Sequence, residues 1–485
     1  MKFSILHISD LHRDLRDEVA NEPLLESLVR DCEQYQGQDP PVLRPSICIV
    51  SGDLVYGVKP GPSASDELQR QYNQAEEFLT ALADKFFDGN PERILILPGN
   101  HDVSYPAVIE SMQKIEIPAT VAERKALTDD LFMPKSQLRW SWAEMCFYRI
   151  CHETQYEDRL EPFASAYERF YSGKRHFSLK PEEQYDVFDY PDLGFSVVAL
   201  NSCYRNDPLQ RAGAFNPTAF SAACRHMRDA KRAGWLMAAT WHHNIAGGPA
   251  QDDYLDGEYL QHLIDAGISL GFHGHQHVHD CVDERYRLGP GKQKMTTISA
   301  STLCAEPKNL KPGIPRGYNI VELDTETWMG RVHSRHMVNS IFNLPVWGPG
   351  HFISSGSSYL DFEICRPQSS RSTHLNISLV LEHVDRLLGT HRWSEALDLL
   401  LPIRHTPLAR PMIHKALSEL GEPQRIVDVL WPPQTNGEAV VVGGAILEMN
   451  SPKHAESFLL LDSVLTSTDA SVNEISRRLR LRWAK

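Results

Sequence analysis

Short apolar runs alternate with longer amphipathic segments over the first 110 residues of the chain. Residues 3–8, 47–50 and 94–97 are mainly apolar and have the length of strands that are buried on both faces. The segments between them, 23–35 and 66–86, have the length and periodicity of amphipathic helices. This alternation predicts a layered α/β fold.

The strand pattern returns at residues 195–200, 236–240 and 268–272, and antiparallel strands are expected from about 278 to 337. Between the two strand-rich regions, residues 115–190 are crowded with aromatic side chains and favour helix. We interpret this stretch as a helical insertion packed over one end of the core. Its aromatic residues could form a hydrophobic cluster or a cap that shapes substrate access.

The pattern changes again after residue 340. Residues 341–372 are rich in Gly, Pro and Ser, which is typical of a linker. Residues 373–485 predict an all-helical domain, because apolar residues such as Trp393, Ala396, Leu397 and Leu400 repeat at helical spacing. Segments 394–400 and 455–461 resemble each other, and the domain resembles tetratricopeptide repeats that bind a protein partner. The domains expected are thus 1–340 and 373–485.

Composition and charge narrow the class of protein. A chain with 42% hydrophobic and 23% charged residues is typical of globular proteins and excludes a mainly disordered or fibrous one. Its net charge of -14, from 63 acidic and 49 basic residues, disfavours non-specific nucleic-acid binding over the whole surface. A locally basic groove or a metal site could still accept a nucleic acid.

The cellular setting is predicted from the same composition. No stretch reaches the ~18 consecutive apolar residues that a membrane span needs, so no membrane association is expected. The polar residues His7, Ser9 and Asp10 interrupt the N-terminus too early for a signal peptide. Nine cysteines without a C-x-x-C pair are typical of a reducing compartment, which predicts a cytoplasmic protein.

Five short polar clusters follow predicted strands. They are Asp10 with His12, Asp53 after Gly52, Asn100-His101-Asp102 after Gly99, His242 with His243, and His275 with His277 after Gly274. Taken alone, each could be a solvated turn, and Asn100-His101-Asp102 could be a helix cap. Ligands of α/β proteins bind at the carboxyl ends of the strands, so clusters in this order favour one common site.

The residue types at these strand ends are those of a metal site. Carboxylates, an amide oxygen and several imidazoles suit Mn, Fe or Zn better than Mg or Ca, which prefer oxygen ligands throughout. The glycines that precede three of the clusters fit places where the chain turns tightly or passes close to a bound ion.

The same set of clusters resembles the calcineurin-like metallophosphoesterase family over about residues 1–340. The resemblance implies a four-layered α/β/β/α sandwich and two divalent or trivalent transition-metal ions, Mn being expected and Fe or Zn the alternatives. One ion would be held by Asp10, His12, Asp53 and His277, and the other by Asp53, Asn100, His242 and His275. Either His242 or His243 could be the ligand, with His242 preferred. His101 would act on the substrate without binding metal, and Asp102 would orient it.

The resemblance further implies two-metal hydrolysis of a phosphoester. Leu54-Val55-Tyr56-Gly57 and Asp102 differ from the protein-phosphatase pattern, whereas Tyr56 has the spacing of the purple acid phosphatase tyrosine. The remaining pattern looks most like bacterial phosphodiesterases, which predicts a phosphodiesterase acting on a nucleotide or another phosphodiester. Two alternatives are a nuclease that works with a partner protein, and an interaction protein with a vestigial metal site.

Overall fold

The computed structural model describes most of the 485-residue chain. The described residues are 1–14, 19–131, 133, 136–245, 253–284, 294–339, 343–352, 354–366, 381, 384–404, 409–433, 435–449, 454–465 and 470–483. The chain divides into two compact units, Met1–Pro367 and Gln368–Lys485. Within the described ranges, no helix has both the length and the apolar character needed to cross a bilayer.

Strands and helices alternate through the N-terminal unit. Its strands are β1 (Lys2–Ile8), β2 (Ile47–Val50), β3 (Ile94–Ile96), β4 (Met112–Ile115), β5 (Leu138–Ser141), β6 (Cys146–Ile150), β7 (Tyr185–Tyr190), β8 (Phe195–Leu200), β9 (Leu236–Thr240), β10 (Leu270–His273), β11 (Asp280–Glu284), β12 (Met295–Ser299), β13 (Gly317–Asp324), β14 (Met329–Met337), β15 (Trp347–Pro349) and β16 (Tyr359–Glu363). Its helices are α1 (Asn21–Glu33), α2 (Ala64–Phe86), α3 (Tyr105–Glu110), α4 (Val121–Leu131), α5 (Glu153–Glu157), α6 (Glu161–Phe170), α7 (Pro217–Met227) and α8 (Glu258–Asp265).

Most of these strands form two large mixed sheets. The first has the order β15-β14-β13-β1-β2-β3, with β16 also paired to β14, and β1, β2 and β3 are parallel. The second has the order β11-β12-β10-β9-β8-β7, in which β8, β9, β10 and β12 are parallel. All six strands that the apolar runs predicted are therefore confirmed, although β10 begins at Leu270 rather than at residue 268.

Alternate residues of the second sheet face two different cores. In β8, Val197 and Ala199 pack in the same cluster as Ile5 of the first sheet, whereas Val198 and Leu200 pack with residues of α7 and α8. Because side chains alternate between the faces of a strand, one face of the second sheet lies against the first sheet and the other against helices. Helices α1 and α2 add apolar side chains to the cluster of the first sheet. The predicted α/β sandwich is confirmed.

The stretch 115–190 differs from the mainly helical insertion that was predicted. It contains α4, α5 and α6, but β5 and β6 form a three-stranded sheet with β4, and β7 belongs to the second large sheet. Periodicity alone does not distinguish short aromatic-rich strands from helices, which explains the error. Ile150 and Leu160 from this region pack, together with Met112 of β4, against Val103, directly after the turn Asn100–Asp102. The region therefore supports that turn.

Residues 341–372, predicted to be a linker, contribute two strands to the first sheet. Both β15 and β16 pair with β14, and Trp347 and Phe362 are buried in the main core. The Gly and Ser residues between them form turns, which is why the composition resembled a linker. The N-terminal unit thus extends beyond residue 340, and residues 367–372 lie outside the described part of the chain.

The C-terminal unit is helical throughout its regular structure in the described ranges. Its helices include α9 (Trp393–Leu400), α10 (Ala409–Leu420), α11 (Pro423–Leu430), α12 (Asn436–Glu448), α13 (His454–Ser463) and α14 (Ala470–Trp483), and each of these packs against the next. The positions that predicted helix, such as Leu397, Leu400, Ile413 and Leu417, form its core. Predicted helical residues 373–380 lie outside the described ranges, and the resemblance to tetratricopeptide repeats stays a prediction.

Two Arg–Asp pairs on β14 allow a matched test of stability. Asp31 of α1 accepts hydrogen bonds from Arg335 and Tyr318, and both members of its ion pair are only 1% exposed. We expect Asp31→Ala to lower the free energy of unfolding by about 3–5 kcal/mol, because it leaves a buried guanidinium unpaired. Asp361→Ala breaks the pair between Asp361 and Arg331, which are 47% and 30% exposed. This substitution should change the free energy of unfolding by less than about 1 kcal/mol.

Denaturant unfolding followed by tryptophan fluorescence measures both variants. Equal losses of stability in Asp31→Ala and Asp361→Ala would contradict the difference assigned to burial.

Candidate metal centre

The predicted ligand residues lie at one edge of the two large sheets. Strands of the first sheet are followed by Asp10 and His12 (after β1), Asp53 (after β2) and Asn100 (after β3). Strands of the second sheet are followed by His242 (after β9), and by His275 and His277 (after β10). Because parallel strands in one sheet end at the same edge, residues far apart in the sequence meet there.

The first ligand group consists of Asp10, His12 and His277. The Oδ1 atom of Asp10 lies 3.1 Å from Nε2 of His277 and 3.6 Å from Nε2 of His12. The Nε2 atoms of the two histidines are 3.4 Å apart. One atom from each residue therefore points at the same small volume, as metal ligands do.

The second ligand group consists of Asn100, His242 and His275. The Oδ1 atom of Asn100 lies 3.0 Å from Nε2 of His242 and 2.8 Å from Nδ1 of His275. The two imidazole nitrogens are 3.3 Å apart. This group offers an amide oxygen and two ring nitrogens to a common centre.

Asp53 lies between the two groups. Its Oδ2 atom is 3.2 Å from Nε2 of His242 in the second group and 3.8 Å from Nε2 of His12 in the first. Its Oδ1 atom accepts a hydrogen bond from the backbone N–H of His101 at 2.8 Å, which fixes the carboxylate in this orientation. One carboxylate oxygen thus contacts both groups.

Hydrogen bonds to backbone carbonyls fix the protonation of the rings. The Nδ1 atoms of His242 and His277 lie 2.8 Å from the Ser51 carbonyl and 3.0 Å from the Asn309 carbonyl. A carbonyl only accepts, so each Nδ1 carries a proton and each Nε2 faces the cluster, where its lone pair would serve a bound ion. The set of carboxylates, amide oxygen and imidazole lone pairs fits a pair of transition-metal ions.

The cluster is buried and strongly charged. Burial opposes ionisation of Asp53, but the neighbouring His242 and His101 hold the pKa of its carboxyl below the usual range. Burial likewise disfavours a charged His242, yet Asp53 and Asp10 raise the pKa of its imidazole to about 9. The two carboxylates thus make this pocket a strong site for positive charge.

Five of the seven predicted ligands have a left-handed backbone conformation. Their φ angles are 54° at Asp10, 45° at His12, 55° at Asp53, 73° at His275 and 55° at His277. This region is unfavourable for residues with a Cβ atom, by about 1–3 kcal/mol each, and such residues cluster at functional sites. Packing of the surrounding sheets therefore holds these loops in a strained arrangement that orients the ligands.

Two of the glycines that precede the clusters allow close approach of the ligands. A Cβ atom on Gly99 would lie 2.2 Å from Oδ1 of Asp53, and one on Gly274 would lie 1.8 Å from the hydroxyl oxygen of Ser9 and 2.7 Å from Oδ2 of Asp10. No side chain fits at either position without displacing a carboxylate of the cluster.

His101 lies beside the cluster, and its contacts differ from those predicted. Its Nδ1 donates to the Tyr56 carbonyl at 2.7 Å, and its Nε2 makes no hydrogen bond to a described residue. The ring packs edge-on against His12, with the centroids 4.6 Å apart. A backbone carbonyl thus orients this histidine and leaves Nε2 for a substrate.

Asp102 does not orient His101, which corrects the role predicted for it. Its carboxylate accepts hydrogen bonds from the backbone N–H groups of Leu54 and Gly99 and from the Tyr72 hydroxyl. Adjacent residues of a short 3-10 turn point in different directions, so the two side chains diverge. Burial and the charge of Asp53 raise the pKa of Asp102 to about 7. Asp102 instead joins the loops that carry Asp53 and Asn100.

The structure separates the roles of His242 and His243. The rings of both are fully buried, but Nδ1 of His243 lies 2.8 Å from the Ser202 hydroxyl and its Nε2 lies 3.1 Å from the Asn206 amide. Both nitrogens of His243 therefore hold the loop after β8, and His242 is the residue that reaches the second ligand group.

We expect His242→Ala to lose the ion of the second ligand group and to keep the other, because one of its nitrogen ligands is gone. His243→Ala should keep both ions and lose about 1–3 kcal/mol of stability, because Ser202 and Asn206 lose a buried partner. Elemental analysis and thermal unfolding of the two variants measure these effects. Loss of an ion from His243→Ala alone would reverse the assignment.

Sequence reasoning missed Asp253, whose Oδ2 atom lies 3.5 Å from Nε2 of His275. Neither spacing nor a motif marks this residue, which lies in the connection between β9 and α8. The carbonyls of Ser51, Tyr56 and Asn309 were missed as well, because every residue has a carbonyl and only the fold decides which one meets a ring.

A family model described as calcineurin-like phosphoesterase matches residues 3–279 of the sequence. The match covers more than half of the chain and includes every residue of both ligand groups together with Asp53 and His101. Among curated proteins, none matches the sequence significantly.

Two solved structures align with this chain at low similarity. The dimetal phosphatase of Danio rerio is 10% identical with a TM-score of 0.38, and the aligned part covers 71% of this chain and 98% of that protein. The purple acid phosphatase of yellow lupin, Lupinus luteus, is 9% identical with a TM-score of 0.37, covering 75% of this chain. The chain spans 54% of the lupin enzyme's length.

Proposed function

Because the chain belongs to the calcineurin-like phosphoesterase family and is a metal-dependent phosphoester hydrolase, we propose that it is a phosphodiesterase. Its substrate is a nucleotide or another phosphodiester. The observation that carries the proposal is the convergence of the two ligand groups on Asp53, beside a histidine that has a free ring nitrogen.

The distances support the proposed ligand sets. Asp10, His12, His277 and Asp53 would hold one ion, and Asn100, His242, His275 and Asp53 would hold the other. Their mixed oxygen and nitrogen donors support Mn, with Fe or Zn as alternatives. When bound, such a pair supplies Lewis-acid chemistry that activates water and neutralises charge on a phosphoryl group.

The protein's own residues complete the reaction. The Nε2 atom of His101 is the group best placed to give a proton to the leaving oxygen, because its Nδ1 is fixed on the Tyr56 carbonyl. Burial of Asp10, Asp53 and His242 keeps bulk water away from the ligands and strengthens their electrostatic interactions. The carboxylate of Asp102 holds the loops of Asp53 and Asn100 together, because it accepts a backbone hydrogen bond from each.

A small diester is favoured over nucleic acid as the substrate. The net charge of -14 repels a polyphosphate backbone, whereas a small diester needs to meet only the metal centre. The residues after Asp53 and Asn100 also lack the protein-phosphatase pattern. Nuclease activity with a partner protein is the second candidate, because the basic residues of α14 offer positive charge to a nucleic acid or an acidic partner.

The C-terminal unit supports a further part of this proposal. Its successive packed helices suit a docking role, so we propose that it binds a protein partner that localises or regulates the enzyme. Nine cysteines without a disulfide fit a reducing compartment, which favours the cytoplasm.

A substrate panel tests the proposed function. The full chain supplemented with Mn²⁺ is assayed on a phosphomonoester, a phosphodiester, cyclic nucleotides, and linear and circular DNA, with Asp53→Ala as the control. We expect hydrolysis of the diester or a cyclic nucleotide that is absent from the control. Cleavage of DNA alone would favour the nuclease, and no hydrolysis of any member would favour an interaction protein with a vestigial site.

A further inference from the structure

His275 faces its ligand group with the opposite ring nitrogen from His242 and His277. Its Nδ1 faces the second ligand group, 2.8 Å from Oδ1 of Asn100 and 3.3 Å from Nε2 of His242, so an ion held there would take the lone pair of Nδ1 and leave the proton on Nε2. That Nε2 is buried and makes no hydrogen bond within the described ranges. The nearest charged group is the carboxylate of Asp253, whose Oδ2 lies 3.5 Å away.

Asp253 is held in place by a side-chain hydrogen bond and by a backbone hydrogen bond close to it in the chain. Its Oδ2 accepts a hydrogen bond from Nε2 of Gln276 at 3.3 Å, and Oε1 of Gln276 accepts one from Lys311 at 2.7 Å. Its Oδ1 is buried without a hydrogen-bond partner among the described residues. The backbone N–H of Leu255, two residues after Asp253, donates a hydrogen bond to the Asn244 carbonyl at 2.7 Å. This bond fixes the backbone next to Asp253.

We propose that Asp253 is a positioning residue for the metal centre: its carboxylate accepts the Nε2–H of His275 and thereby directs Nδ1 into the second ligand group. This inference rests on the proposed function, because it assumes that the second group holds an ion. His242 and His277 have a backbone carbonyl in the corresponding place. A carboxylate in that place makes the imidazole a stronger ligand and excludes the wrong tautomer.

The proposal predicts a change in metal affinity that is confined to one ion. Removing an outer hydrogen-bond partner of a ligating histidine weakens metal binding by about 10–100-fold. Asp253 contacts His275 and no ligand of the first group within the described ranges, so only the ion at the second group is affected. Saturating metal should restore turnover, because the role proposed for Asp253 is limited to positioning His275.

The experiment titrates Mn²⁺ into metal-stripped full-length protein and measures free Mn²⁺ by electron paramagnetic resonance. In Asp253→Asn we expect one dissociation constant to rise about 10–100-fold and the other to stay unchanged. Asp253→Glu should recover most of the affinity because it restores a carboxylate. Asp256→Asn is the matched control, since Asp256 is an exposed aspartate of the same connection, and it should bind as the wild type does.

A double mutant separates positioning from a general effect on folding. In a His275→Ala background, adding Asp253→Asn should cause no further loss, because the ring that it positions is absent. Two unchanged dissociation constants in Asp253→Asn, or an equal added loss in the His275→Ala background, would overturn the inference. A wild-type protein that takes up only one Mn²⁺ would instead overturn the two-ion proposal on which the inference rests.

Discussion

Replacing Asp53 with alanine is expected to remove both metal ions together and to reduce phosphoester hydrolysis to the background rate. The physical reason is that one oxygen of this carboxylate lies 3.2 Å from the His242 nitrogen and 3.8 Å from the His12 nitrogen. Each ligand group therefore loses a charged oxygen, and the buried imidazoles that remain repel cations when protonated. Elemental analysis of purified protein, together with turnover of a diester, measures both losses.

Two further variants make the Asp53 test specific. Asp53→Asn has nearly the same shape and can still accept the hydrogen bond from His101, so a loss of metal in it reports the missing charge. Asp361→Ala removes an exposed aspartate of the same unit and should keep both ions and full activity. A complete pair of ions in Asp53→Ala would contradict the shared role of this carboxylate.

Replacing His101 with alanine is expected to give the opposite combination, full metal content with turnover reduced by about 10²–10⁴-fold. The Nδ1 atom of His101 is occupied by the Tyr56 carbonyl, so its contribution lies in the Nε2 atom, which can protonate a leaving oxygen. Metal analysis and kcat are measured on the same preparation. Loss of an ion from His101→Ala would make His101 a ligand and contradict the proposed role.

The leaving group provides a sharper criterion for His101. A nitrophenolate leaves without a proton, whereas an alkoxide or a ribose oxygen needs one, so the defect of His101→Ala should be much smaller with a nitrophenyl diester. His176→Ala replaces an exposed histidine of the same unit and serves as the control. Equal defects with both leaving groups would show that His101 acts on something other than proton transfer.

Much of the site could be predicted from the sequence because its chemistry is local. Each ligand follows a strand within a few residues, so Asp10, Asp53 and Asn100 could be found from an apolar run and the polar residue after it. That parallel strands end at one edge is a general property of α/β sheets, and it is sufficient to bring these residues together. Apolar runs likewise predicted the five strands that the ligands follow, together with β8 beside β9.

The errors arose where a local pattern fits two structures. The strands β5 and β6 have the aromatic composition that was interpreted as helix, and the turns between β15 and β16 have the composition of a linker. In both regions the structure depends on pairing with a distant strand. That strand is β4 in the aromatic region and β14 in the region that resembles a linker. A short segment takes its structure from the distant strand with which it pairs. A run of neighbouring residues in the sequence does not contain that strand.

The sequence by itself determined the type of residue at the metal centre and the strand that each one follows. Only the tertiary structure decided how each side chain is held: His242 rather than His243 meets Asn100, the Tyr56 carbonyl rather than Asp102 orients His101, and Asp253 lies behind His275. The reason is physical. Hydrogen-bond partners of a buried ring come from whichever carbonyl or carboxylate the packed sheets bring within about 3 Å, and sequence distance does not constrain that choice.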